Sequence, residues 1–129
     1  MHPGNMLARV TDLALMAPAV RTASANGPGV DVTDYEGVGL ILVASSAEAS
    51  TGTCDVTIQD SPDNSTWSNV TLLDGAFGQI TNAGTFEQVR RIDVQGGNKF
   101  IRAVQTVGGG SPSAMTSVSF LGIKKVASA

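Results

Sequence analysis

Few side chains in this sequence are equipped for chemistry, and their spacing keeps them apart. The one histidine, His2, stands beside Pro3 with no Asp or Cys patterned around it. A Ser/His/Asp or Cys/His site needs its histidine held rigidly against a nucleophile. The one thiol, Cys54, falls in step with Val56 and Ile58 on one face of an alternating run, where a small hydrophobe belongs. One His and one Cys do not make a closed zinc site. Asp55, Asp60, Asp63 and Asn64 place oxygen ligands near one loop, as a hard cation would need. The loop lacks the acidic spacing and closing Glu of an EF-hand, so turn formation is the stronger reading. Asp31, Asp34, Glu36, Glu48 and Asp93 supply carboxylates for glycoside hydrolysis only if two of them meet across a cleft. Trp67, Tyr35 and Phe77 are candidates for a sugar platform or for the core. The expectation is a protein without catalytic residues, metal or cofactor.

The elements that would position these residues read as β throughout. The segment 59–67, Gln-Asp-Ser-Pro-Asp-Asn-Ser-Thr-Trp, is a turn between two extended runs. Pro fixes φ, and the short polar side chains bond their own backbone. Trp67 is expected to anchor the core where the chain re-enters the sheet. Strands are expected at 30–35, 38–45, 53–60, 66–72, 77–80, 86–94, 99–107 and 114–125, separated by turns rich in Gly and Asn. The continuous apolar run 38–45 reads as a central strand buried on both faces. About eight strands with no convincing internal helix make an all-β fold, an antiparallel β-sandwich or jelly roll. The expected core includes Val56, Ile58, Trp67, Val104, Val118 and Phe120.

Charged residues make up 15% of the chain against ~25% in ordinary domains, so its surface is largely Ser, Thr, Asn, Gln and Gly. That suits sheets which pack on other protein. A net charge of −3 offers no footprint for nucleic acid. Arg90, Arg91, Lys99 and Arg102 form a local basic group, but strand alternation sends neighbours to opposite faces. No apolar stretch approaches the ~20 residues of a membrane span. Residues 1–29 end in the breaker Asn26-Gly27-Pro28-Gly29 and divide the chain into an N-terminal arm, 1–29, and a sandwich domain, 30–129. The arm is nearly uncharged and carries Met6, Leu7, Leu13, Leu15 and Met16. Those side chains are expected to reach a neighbouring subunit; the alternative is a first strand and short helix packed on their own sandwich.

Residues 37–123 resemble the small β-sandwich proteins encoded among the head genes of tailed bacteriophages, which decorate or cement the capsid. The resemblance lies in the apolar strand 38–44 and the strand–loop–Trp unit 55–67. It continues in Lys99-Phe100-Ile101-Arg102 with Val104 and Val107, then in the turn into Ser111-Pro112-Ser113-Ala114 and a last alternating strand. The resemblance implies a non-enzymatic virion protein, made in the host cytoplasm and bound to the major capsid protein on the outer capsid surface. It also implies a homo-oligomer, with a trimer favoured, and neither nucleic acid nor membrane as partner. The rival expectation is a receptor- or carbohydrate-binding sandwich of a tail fibre or adhesin.

Overall fold

The computed structural model describes residues 10–21, 23–47, 53–80, 85–94, 98–108 and 114–124. In chain order the strands are β1 (Val10–Arg21), β2 (Ala25–Asn26), β3 (Val30–Asp31), β4 (Tyr35–Ala47), β5 (Thr53–Ser61), β6 (Ser68–Asn69), β7 (Thr85–Asp93), β8 (Phe100–Gly108) and β9 (Ala114–Lys124). Two antiparallel sheets pack face to face. The first has the order β1-β9-β4-β7, the second β2-β8-β5-β6 with β3 also on β8. Four pairings nest inside one another: β1 with β9, β2 with β8, β4 with β7, β5 with β6. A long ribbon folded back on itself and then rolled, so that β9 meets β4 and β8 meets β5, is a jelly roll.

Period-two alternation drives the sheets together. Along β5 the buried residues are Cys54, Val56, Ile58 and, at its end, Ser61, and across from them β8 buries Ile101, Ala103 and Gln105. In the other sheet Ile41 pairs with Phe120 and Val43 with Val118, all four fully buried. Burying each of these large side chains contributes on the order of 1.5–3 kcal/mol. Phe120 sits edge-on to Tyr35, ring centroids 5.2 Å apart. Its ring is admitted only because two positions lack side chains: a Cβ at Gly39 would lie 2.4 Å from it, and one at Gly122 2.5 Å. Gln105 is an exception in this core, since among the described residues neither of its amide atoms has a partner.

The all-β sandwich matches expectation; four details differ. Nine strands replace eight, because the early chain supplies β1 and β2, while 77–80 contributes only an isolated bridge between Ile80 and Cys54. Residues 10–21 are not an arm: they form the sheet strand beside β9, with Leu15 and Met16 in this chain's own core. The division at residue 29 therefore cuts through one packed structure. Trp67 and Val104 are only half-buried, so neither is core in the sense expected. β4 is central, but its outer face is open, with Val38 48% and Leu40 38% exposed.

Candidate functional site

The side chains with chemical potential are each engaged separately. Cys54 is a buried thiol packed among hydrophobes. The Asp63 carboxylate accepts hydrogen bonds from the Thr66 N–H (2.9 Å), the Ser61 hydroxyl (2.9 Å) and the Ser65 N–H (3.0 Å). Those donors, the Thr66 amide foremost, lower its pKa. Asn64 completes the turn with a positive φ of 62°, a conformation Asn tolerates. Asp55 accepts from the Gln79 amide at 3.1 Å, and Asp60 from the Asn98 N–H at 3.5 Å. The loop carboxylates thus organise a turn, and among the described residues no three His, Cys, Asp or Glu side chains converge as metal ligands. His2 and Glu48 lie outside the described residues.

The aromatic candidates are covered as well. Arg102 lies over the Trp67 ring, its guanidinium carbon 4.4 Å from the centroid. Gln59 Oε1 holds that guanidinium in place, accepting from Nε at 3.0 Å and from Nη2 at 2.8 Å. The Trp67 ring also closes on Gly29, where a Cβ would lie 3.1 Å away. Tyr35 is buried against Phe120, and Phe77 is buried beneath Arg90. The basic group is dispersed in the same way, with Arg91 on Asp74 at 2.8 Å and Lys99 near Asp31 at 3.9 Å. A hollow of about 250 Å³ beneath the 70–77 connection is walled by Val56, Ile58, Leu72 and Phe77, with no titratable side chain in its lining.

What remains is the outer face of the β1-β9-β4-β7 sheet. Register aligns its residues in rows across all four strands. One row runs Asp12, Leu121, Leu40, Arg91; the next runs Ala14, Ser119, Leu42, Val89. Leu121 is 40% and Val89 45% exposed, and Val38 continues the apolar surface beside Asp93. Asp12, Leu40, Leu42, Val89, Ser119 and Leu121 line a shallow groove of about 210 Å³. Four of the exposed large hydrophobic residues, Val38, Leu40, Val89 and Leu121, thus share one sheet face, bordered by Asp12, Arg91 and Asp93.

The edges of this sheet, by contrast, are closed to further strands. β1 is broken by two register shifts, between Ala14 and Met16 and between Met16 and Ala19, with Pro18 in the second. Along β7 the 73–74 turn takes the edge positions of Arg91: Leu73 N–H donates to its carbonyl and Asp74 Oδ2 accepts from its N–H, both at 2.9 Å. The second sheet ends in strands two residues long. Association through faces is thereby favoured over strand addition.

Of the interface residues expected from sequence, Leu15 and Met16 are buried in the chain's own core, and Leu13 packs partly against it. Met6 and Leu7 lie outside the described residues. The open face went unforeseen because an apolar residue waiting for a partner looks, in sequence, like one already buried. Its signal was the apolar residues at both parities of the 38–44 run.

No protein-family model and no curated protein sequence matches the chain. Among solved structures it is similar to the SPBc2 prophage-derived protein YomS, with a TM-score of 0.48 and 15% identity over 87% of this chain and 92% of that one. It is also similar to the CBM22-1 xylan-binding domain of Paenibacillus barcinonensis Xyn10C, with a TM-score of 0.52 and 16% identity over 92% and 83% of the two chains. The second likeness agrees with the β-sandwich fold.

Proposed function

We propose that this protein is a non-enzymatic structural component of a phage virion that binds and stabilises the outer surface of the capsid, with the major capsid protein as its partner. The observation that carries a protein-associating role is the open apolar face of the first sheet, on a sandwich whose edges are closed and whose reactive side chains are dispersed. The capsid itself enters through the ordered resemblance of residues 37–123 to decoration proteins. Low surface charge supports the same reading, because Ser, Thr and Gln can be covered by protein without desolvating ions. The test is co-sedimentation with purified capsids of the phage that carries the gene. Saturable binding at a fixed ratio per capsomer, with a raised temperature of shell disruption, is expected. Absence of binding to both precursor and expanded shells would remove the capsid from the proposal.

A carbohydrate-binding role is the second reading, favoured by the fold likeness to a xylan-binding domain. Sugar stacking requires an open aromatic ring, and Trp67, Tyr35 and Phe77 are each covered. Calorimetric titration with xylo-oligosaccharides is expected to give no heat; millimolar or tighter binding would reverse the ranking.

A further inference from the structure

We infer that the outer face of the β1-β9-β4-β7 sheet pairs with the same face of a second copy, about a two-fold axis lying parallel to the strands. The pairing takes up the face that carries the protein-associating reading, so a capsid would be met by another surface of the dimer.

Charge is distributed along the rows in a self-complementary way. Asp12 and Arg91 terminate opposite ends of one row, with Leu121 and Leu40 between them. Rotation about an axis parallel to the strands exchanges left and right while keeping each row at its own height. Asp12 of one copy then lies over the partner subunit's Arg91, and the reverse contact forms at the other end. Leu121 falls on the partner subunit's Leu40, and Ala14 on the partner subunit's Val89. An isologous contact needs this kind of self-complementarity, in which each residue pair occurs twice. The sheets also run in the aligned direction that face-to-face packing prefers.

The alternative two-fold, across the strands, is disfavoured by the same map. It stacks β7 on β7 and β1 on β1, so Asp12 and Arg91, at opposite edges of the sheet, do not meet across the contact. Arg91 can accept a second carboxylate without releasing the first. Asp74 engages its Nε and Nη2, and a guanidinium carries five N–H donors in all. The closed edges remove the competing route, continuous sheet formation across β1 or β7.

Sedimentation velocity over a range of protein concentrations tests this directly. A concentration-dependent dimer is expected. Leu40→Asp and, separately, Val89→Asp should return it to monomer with an unchanged circular dichroism spectrum, since both side chains point outward. Asp12→Lys and Arg91→Glu should each weaken the dimer about tenfold or more, because two attractions become two repulsions. An equimolar mixture of these two charge variants should recover dimer, as the heterodimer regains an opposite-charge pair at both ends. A monomer at every concentration would overturn the inference. So would an oligomer, trimer included, that survives Leu40→Asp and Val89→Asp, or charge variants whose mixture gains nothing over either alone.

Discussion

Phe120 and Trp67, both expected in the core, meet different fates. Phe120 is fully enclosed between Tyr35 and the backbone at Gly39 and Gly122. Phe120→Ala should cost about 3–5 kcal/mol, since the surrounding strands cannot collapse into the space. Trp67 stands half-exposed beneath Arg102, so Trp67→Ala should cost only about 1–2 kcal/mol, mostly from the lost cation–π contact. Urea unfolding of the two variants checks the order; equal losses would put Trp67 in the core. Gln105 gives the opposite sign. Its buried amide lacks a protein partner among the described residues, and Gln105→Met should be neutral or raise stability by about 1–3 kcal/mol in the same assay. Asp74 sets the acid limit. Hydrogen bonds from the Arg91 side chain, then from the Arg91 amide, pull its pKa from 3.8 to about 2. A carboxylate lowered in the folded state contributes stability that is complete above its unfolded pKa and is lost as pH falls toward the folded value. The wild-type melting temperature should therefore fall more steeply than that of Asp74→Asn between about pH 4 and about pH 2.

At the scale of elements, the strand that matters most is the one that did not look like a strand. A β1 with clean alternation would have been legible from its apolar residues. The register shift between Ala14 and Met16 instead buries Leu15 and Met16 consecutively, and Pro18 interrupts the pattern again two residues later. Local pattern reading sees an irregular apolar tail and assigns it to a neighbour. β5, β8 and β9 have unbroken alternation in their central portions, and their positions were legible to within a residue or two. In β4 the alternation is hidden for another reason. Its outward residues Val38, Leu40 and Leu42 are as apolar as its inward ones, which is also why the open face itself was missed. Because β1 covers one edge of β9 and fills part of the core, deleting residues 1–21 should leave a chain that fails to fold. Loss of the cooperative thermal transition and of the β-type circular dichroism spectrum is the expected result. A truncated protein with an intact transition would restore the arm.

For the whole molecule, the −3 net charge and the dispersal of Arg90, Arg91, Lys99 and Arg102 predict that duplex DNA is not bound at physiological salt. A fluorescence anisotropy titration should stay flat, and salt-sensitive binding would contradict it. The nested pairing has a further bearing on how the protein comes into being. Synthesis runs from the N-terminus, so β1 is made first and its sheet neighbour β9 last. Until β9 is made, β1 has no partner in its sheet and one edge of β4 stays open. A chain cut short before β9 is left with two unpaired strand edges and an exposed core, the features that recruit chaperones and proteases. Burial of the interior thus depends on a strand made after all its neighbours: a chain truncated before β9 cannot hide its own core.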